Sequence, residues 1–314
     1  MTSDVVVSYI VTVYNKEAYV GHTADSLLTQ EGGIPSEYIF VDDVSTDRSL
    51  EVLEERARGV PNVVIVRNSE NKGPSIRVNQ GARLARGKYL QFIDSDDVLA
   101  ANATRLMLSL LVKHQADVIH GGWERTDIEA AKLVGRRVDD NAPYVVSDRP
   151  REFVFRQRLR RMMQLVRRET FLASGGCDER VFIQDESLGL RLARTARRII
   201  LLKAPVLLIP RVEGVLSANV SQLNHDRFLA SYHMLKDFCD LDEDMRRNLY
   251  GRCISAAWKE RRHRQGVCAL ASRTFLQYLR SKWRLPPVDD GALALMNDFF
   301  AKIEGVKRTS AYHD

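Results

Sequence analysis

Tyr89-Leu90-Gln91-Phe92-Ile93-Asp94-Ser95-Asp96-Asp97 is the stretch on which the reading of this chain turns. A short run rich in aromatic and aliphatic residues, too brief for a helix, passes directly into an acidic cluster. That pattern suits a strand buried on both faces that delivers polar groups to one end of a sheet. The same design recurs upstream. Val5-Val6-Val7-Ser8-Tyr9-Ile10-Val11 reads as a strand, and after Tyr14-Asn15-Lys16 the residues Val20, Ala24, Leu27 and Leu28 repeat at helical spacing. Tyr38-Ile39-Phe40-Val41 is a second strand, ending at Asp42-Asp43. Ser45 or Thr46 can cap the helix after it, where Leu50, Leu53 and Ala57 form one apolar stripe. Val63-Val64-Ile65-Val66 is a third strand, and a helix from Gly73 to Ala85 stops before Gly87. Downstream, Leu99, Ala103, Leu106 and Leu110 are expected to form a helix, followed by the strand Val118-Ile119-His120.

This alternation implies an α/β fold, with an open, mostly parallel sheet flanked by helices. Ligands of such sheets bind beyond the carboxyl ends of the strands. Three polar clusters, at residues 12–17, 42–47 and 94–97, each follow a strand and are expected to converge on one crevice. After about residue 124 the pattern weakens. Residues 124–147 are polar and expected to be loop, and a mixed segment runs to Pro210. Helical periodicity dominates from Asp226, interrupted by Pro286-Pro287 before a helix over 292–303. Internal repeats and low-complexity segments are not apparent.

With 314 residues, 45% of them hydrophobic, the chain can bury a sizeable core as one large domain or a domain with an appendage. The longest apolar runs, such as Ala204 to Pro210, are far too short to span a bilayer. Met1-Thr2-Ser3-Asp4 does not open a secretory leader, so a cytoplasmic protein is expected. Cys177, Cys239, Cys253 and Cys268 are widely spaced and are expected to be reduced packing residues rather than a zinc site. The net charge is +6, with eight arginines between Arg149 and Arg168 and a second cluster at Lys259, Arg261, Arg262 and Arg264. Each patch is either a solvated helix face or a surface that meets phosphates or anionic lipid headgroups. No nucleic-acid partner is expected.

A strand ending in Asp-x-Asp-Asp presents hard carboxylate oxygens suited to Mg²⁺ or Mn²⁺. Two carboxylates do not fill an octahedral shell, so substrate phosphates and water would complete it. The blander reading is that these aspartates, Asp97 above all, cap the helix expected near Leu99. Two chemistries use such a strand end: group transfer from a nucleoside diphosphate, and phosphoryl transfer of the haloacid-dehalogenase type. Asp94-Ser95-Asp96-Asp97-Val98 fits the Asp-x-Asp-x-Val motif of the latter, with Asp94 as nucleophile. That motif normally follows the first strand of its domain, whereas three strand–helix units precede it here. A non-catalytic nucleotide-binding module is a third reading.

Several stretches in order resemble the inverting family 2 glycosyltransferases of the GT-A fold. They are Ile10-Val11-Thr12-Val13-Tyr14-Asn15-Lys16-Glu17, Phe40-Val41-Asp42-Asp43-Val44-Ser45-Thr46-Asp47, Asn71-Lys72-Gly73-Pro74-Ser75-Ile76-Arg77-Val78-Asn79 and Gly87 through Asp97. Gly175-Gly176-Cys177-Asp178-Glu179 and Gln184-Asp185-Glu186-Ser187-Leu188-Gly189-Leu190-Arg191-Leu192 follow in the family's order. The resemblance covers roughly residues 5–225. It implies a GT-A domain over 1–225, with a nucleotide-binding part to about 123 and an acceptor-side part over 124–225, followed by a helical C-terminal region over 226–314.

By resemblance, Thr12, Val13 and Tyr14 shape the base pocket and Glu17 lies near the nucleoside. Asp43 accepts a hydrogen bond from the base, commonly uracil, which favours a UDP-sugar donor. Arg77 and Lys72 lie near the nucleotide or its phosphates, Asp94 and Ser95 beside the ribose and diphosphate, and Asp96 on the metal, Mn²⁺ or Mg²⁺. The blander readings are a surface helix arginine for Arg77 and helix-dipole stabilisation for Glu17.

Inverting transfer needs a carboxylate opposite the leaving group, to take the proton from the acceptor hydroxyl. Gln184-Asp185-x-x-Leu188-x-x-Arg191-Leu192 resembles the family's Glu-Asp-x-x-Leu-x-x-Arg motif, which makes Asp185 the candidate base; an N-cap is its alternative. The sequence departs from the pattern at Gln184, where many relatives carry Glu. Glu186 is a rival base, and His225 a further candidate for the metal or diphosphate. The resemblance implies a hexosyltransferase of bacterial cell-surface polysaccharide or glycolipid synthesis, acting on a saccharide or glycolipid acceptor. The arginine-rich 149–168 segment and the helical C-terminal third would then face the inner surface of the cytoplasmic membrane.

Overall fold

The computed structural model describes residues 5–157, 159, 162–210, 219–283 and 286–313. The elements follow in the order β1 (Val7–Val13), α1 (Val20–Leu28), β2 (Ser36–Asp42), α2 (Ser49–Ala57), β3 (Val63–Arg67), α3 (Pro74–Leu84) and β4 (Tyr89–Asp94). Next come β5 (Val98–Leu99), α4 (Ala103–Lys113), β6 (Val118–Thr126), α5 (Ala130–Leu133), β7 (Tyr144–Ser147), α6 (Pro150–Gln157), β8 (Gln164–Arg167) and α7 (Arg168–Ala173). The chain continues through α8 (Gln184–Thr195), β9 (Ile199–Pro210), α9 (Val220–Asp237), α10 (Glu243–Gln265), α11 (Arg273–Trp283) and α12 (Asp290–Ala301).

Among the described residues one sheet runs in the order β3-β2-β1-β4-β8-β6-β9-β5, with β7 paired on β9. β3, β2, β1 and β4 are mutually parallel. β8 is antiparallel to both β4 and β6, so β6 and its parallel neighbour β9 point the same way as β4. The chain moves outward from β1 to β3 and then returns to β1's other side as β4. That reversal opens a crevice at the carboxyl ends of β1 and β4, where Thr12 pairs with Asp94.

Strand residues alternate between two cores. Ile10, Ile39, Val41, Leu90 and Phe92 face one cluster, while Val7, Tyr9, Val11, Phe40 and Ile93 face the other. Both faces are covered, as continuous apolar strands require. Helix α3 lies so close to β1 that a Cβ on Gly81 would come within 2.6 Å of Ile10 Cγ2. The first core also takes in Phe228, Leu249, Cys253, Leu293 and Phe300 of the C-terminal helices. The division expected at residue 225 falls inside α9, whose apolar face is part of this shared core.

Three local expectations are corrected. Leu99 lies in β5, antiparallel to Leu207 of β9, and the helix after it begins at Ala103 behind Asn102. Val98 and Leu99 are buried on both sides, so their hydrophobicity serves a sheet rather than a helix stripe. Residues 124–147 are not all loop. They hold the end of β6, the short α5 and β7, whose Tyr144 to Ser147 pair with β9 without an apolar run long enough to announce a strand. Cys177 and Cys253 are buried, and burial pushes both thiols well above their ordinary range, but Cys239 and Cys268 are exposed.

Candidate active site

The loops after β1 and β2 are laced together. Asn15 N–H donates to Ser45 Oγ at 3.0 Å, Lys16 N–H to Ser49 Oγ at 2.8 Å and Glu17 N–H to Asp47 at 3.0 Å. In return Asn15 Oδ1 accepts from Thr46 N–H, and Glu17 Oε2 from Arg48 N–H. Glu17 is therefore turned toward the start of α2, where it also meets the Arg48 guanidinium at 3.5 Å. Thr12 is half-buried, Val13 is buried, and Tyr14 stands out at the crevice rim.

The carboxylates after β2 are buried and engaged by fixed donors. Asp42 accepts from the backbone of Val44 and Ser45. Asp43 accepts from Lys72 N–H at 2.9 Å, Gly73 N–H at 2.8 Å and Arg77 Nε at 2.6 Å. Arg77 is buried as well, and its other nitrogens donate to Gln80 Oε1 and the Glu70 carbonyl. Lys72 reaches Glu70 with its ammonium at 3.1 Å. These bonds seat the turn that opens α3.

The cluster after β4 is arranged differently. Asp97 N–H donates to the Asp94 carbonyl, and the Asp97 carbonyl accepts from Thr23 Oγ1 of α1 at 2.8 Å, making a tight turn that leads into β5. Asp97 thus belongs to a strand connection and begins no helix. Ser95 is buried, and Asp94 and Asp96 are half-buried. Asp96 Oδ2 meets the Lys16 ammonium at 2.6 Å, and Asp94 Oδ1 accepts from Gln184 Nε2 at 2.8 Å.

The Gln184 bond brings the first turn of α8 against the end of β4. Ile183 is the N-cap, so Asp185 is the second helical residue and not a cap. Asp185 is half-buried in this turn. Glu186, one residue on, turns about 100° around the helix axis and is buried against Arg227 Nε at 2.9 Å. The entry to α8 is held from below, because Ile183 N–H donates to Asp226 Oδ2 at 2.7 Å. His225 lies on the other side of that carboxylate, with Nδ1 at 2.7 Å from Asp226 Oδ1 and its ring between Phe300 and Tyr312. It is 1% exposed and belongs to this buried prop.

The remaining motif is structural. Asn79 of α3 bonds the Cys177 backbone in both directions, at 2.9 and 3.0 Å. Gly176 has a φ of 67°, and a Cβ there would fall 2.3 Å from Asn79 Oδ1, so glycine is required on both counts. Asp178 receives Arg180 and His233; burial alone would raise its carboxyl, but those hydrogen bonds and charges hold it well below the usual carboxylate range.

Two residues not anticipated from sequence stand at the crevice. Lys16 is one. Lys307 is the other, with its ammonium 5.7 Å from the Tyr14 ring centroid and 5.8 Å from that of Phe182. Its backbone is held twice by the buried Gln222, which also bonds Asp226. The chain's last residues so join the same network that supports Asp185. No sequence motif marks Lys307; only the return of the tail beside β1 does.

Among the described residues no group of three histidine, cysteine or acidic side chains is gathered for a metal ion. Asp96 and Asp94 nevertheless offer hard oxygen donors at an open strand end, suited to a divalent ion that takes its other ligands from phosphate and water.

The family model for glycosyl transferase family 2 matches residues 8–177, more than half the chain. The poly(ribitol-phosphate) beta-glucosyltransferase of Bacillus spizizenii is 34% identical over 119 residues, 37% of this chain and 18% of that protein. The minor teichoic acid biosynthesis protein GgaB of Bacillus subtilis is 30% identical over 112 residues, 35% of this chain and 12% of that protein. The chain thus spans only a small part of the length of these two relatives. Among solved structures, S. aureus TarS 1-349 in complex with UDP-GlcNAc shares the fold with a TM-score of 0.63 at 19% identity, over 93% of this chain and 87% of that one. The mannosyltransferase PcManGT of Pyrobaculum calidifontis, in complex with GDP-Man and Mn²⁺, gives 0.60 at 16% identity, over 95% and 81%. The parallel strands with their converging loops are a GT-A sheet, and the chain belongs to glycosyl transferase family 2.

Proposed function

We propose that the protein is an inverting glycosyltransferase that moves a sugar from a nucleoside-diphosphate donor, a UDP-sugar by preference, to an acceptor hydroxyl in bacterial cell-surface polysaccharide or glycolipid synthesis. The observation that carries this is the bond between Gln184 and Asp94, which sets the first turn of α8, with Asp185, against the acidic end of β4. Family membership sets the phosphatase reading aside. The UDP-GlcNAc complex of the similar S. aureus structure and the glucosyltransferase name of the Bacillus spizizenii relative support the donor class.

In this reading the donor lies across the carboxyl ends of β1 and β4, with its base beside Thr12, Val13 and Tyr14. Asp43, Arg77 and Lys72 act mainly by shaping the turn that walls the base pocket. Asp94 and Ser95 line the ribose and diphosphate. Asp96, with Asp94 beside it, would hold Mg²⁺ or Mn²⁺, and that ion would offset charge on the departing diphosphate. The Lys16 ammonium beside Asp96 and the Lys307 ammonium beside Tyr14 add positive charge. Asp185 takes the proton of the acceptor hydroxyl as that oxygen attacks the anomeric carbon, the diphosphate leaves from the opposite face, and the configuration inverts.

Replacing Asp185 by Asn tests the assignment. Donor binding, read by calorimetry with UDP-sugars, is expected to stay within about threefold of the parent, while transfer falls by about 10²–10⁴-fold. Unchanged transfer would remove Asp185 from the mechanism. An equal loss of donor binding and transfer would make it a donor contact instead.

A further inference from the structure

Helix α11 has no fully buried residue, yet it is strongly amphipathic in sequence. Its inner side, Phe275 and Tyr278, stacks on Trp258 of α10 at 4.6 and 5.7 Å between ring centroids. A second apolar stripe consists of Leu276, Leu279 and Trp283, spaced i, i+3 and i+7 so that they share one face. All three face solvent, Trp283 at 92% exposure. The short 3₁₀ segment Gly266–Ala271 before the helix adds Val267, 79% exposed, and Leu270. These five side chains cluster within 17 residues, whereas exposed apolar residues elsewhere, such as Tyr14, Val112 and Trp123, are scattered along the chain.

The charge around the stripe is one-sided. From Arg261 to Val288 the sequence contains no aspartate or glutamate, while Arg262, Arg273, Arg280 and Lys282 are exposed there. Arg280 and Lys282 flank the Leu276–Leu279–Trp283 stripe on opposite sides of the helix. In the arginine-rich 149–168 segment, by contrast, described arginines are engaged by the fold. Arg151 bonds Asp240, Arg167 bonds the Ala116 carbonyl and faces Asp117, and Arg158, Arg160 and Arg161 lie outside the described residues.

We infer that the Gly266–Ala271 turn and the outer face of α11 form a docking surface for an anionic lipid bilayer. Leucines and a tryptophan in line, bordered by cations and with no acidic residue, match the requirements of a helix lying in the headgroup region. The indole sits at the boundary between apolar and wet layers, and the flanking cations meet lipid phosphates. The same composition opposes pairing of two copies through this face, because arginine would meet arginine with no carboxylate to answer it. No helix among the described residues is long and apolar enough to cross a membrane, so attachment is to the surface. This inference stands independently of the transfer reaction.

The test uses the full chain with phosphatidylcholine vesicles, with and without phosphatidylglycerol, in a flotation assay. The parent is expected to float with the anionic vesicles, and less so as salt rises. Its tryptophan emission should shift to the blue on binding. In Trp283→Ala that shift should disappear, because Trp258 is buried and stays so, and Trp123 lies on β6, outside the proposed face. Leu276→Ser combined with Trp283→Ala should weaken binding about tenfold or more, through the apolar area lost. Arg280→Glu combined with Lys282→Glu should abolish the preference for phosphatidylglycerol. Every position is exposed, so circular dichroism and donor binding should stay as in the parent. The inference fails if the parent ignores anionic vesicles or if the substituted chains bind them equally well. It also fails if sedimentation velocity shows a dimer that Trp283→Ala dissolves, since the face would then belong to a second copy.

Discussion

The two carboxylate clusters at the ends of β2 and β4 look alike in sequence and differ in the fold. After β2, Asp42 and Asp43 are 2% and 4% exposed, and rigid backbone N–H groups together with the buried Arg77 occupy their oxygens. After β4, Asp94 and Asp96 are half-buried and are met by the ends of side chains, Gln184 and Lys16, that can swing aside. Backbone donors cannot leave without unfolding the turn, whereas an amide or an ammonium exchanges readily for water or a metal ion. The first cluster is architecture that carries charge, and in the proposed reading the second serves chemistry.

The largest effect expected from this contrast is on stability. Asp43→Ala leaves Arg77 buried without its carboxylate and should cost about 3–5 kcal/mol, read by urea unfolding. A cost within about 1 kcal/mol would show that the β2 cluster is as adaptable as the β4 cluster. Asp96→Asn should do the reverse. Its ion pair with Lys16 is partly solvated, so stability should move by about 1 kcal/mol or less while transfer falls about 10²–10³-fold. Survival of metal-dependent donor binding in that variant would move the metal site elsewhere.

Acid isolates the sheet interior from both clusters. Burial pushes the His120 imidazole down to about 4 from its ordinary 6.5, so the folded chain keeps it neutral while the unfolded chain takes up a proton first. Stability should therefore be lost as pH falls through the range between those two values. Lowering the pH from about 7 to about 5 should cost about 2 kcal/mol through this residue, and His120→Gln should flatten that slope. An unchanged slope in the variant would assign the acid sensitivity to other groups. The smallest effect is at Gln184. Gln184→Glu sets a carboxylate beside Asp94 and should raise Mn²⁺ affinity about three- to tenfold by calorimetry, since affinity follows the number of charged ligands. No change would mean that Gln184 serves only to join α8 to β4.

Much of the nucleotide half is legible from local pattern. Apolar runs of strand length, helical stripes between them and polar residues at each strand's end lead to the sheet, its direction and the crevice, because buried parallel strands leave little choice of composition. Legibility declines where pairing partners lie far away in sequence. The Val98-Leu99 strand depends on β9, more than 100 residues later, and β7 depends on the same distant strand. Glu186 and Asp185 are neighbours in a motif, yet only the helix phase separates a buried partner of Arg227 from a residue at the site. His225 carried the suggestion of a metal ligand, but its ring is enclosed by Phe300 and Tyr312 from the last segment of the chain.

The sequence by itself determined the α/β class, the family resemblance and the acidic strand end, since periodicity and spacing are local properties of the chain. The tertiary structure alone decided which carboxylates are walled in and which stay open, because burial and hydrogen-bond saturation depend on residues distant in sequence. It also set Lys307 beside Tyr14, and it turned the Leu276–Leu279–Trp283 stripe outward. An amphipathic helix with two apolar stripes can bury only one of them against α10, and only packing selects which.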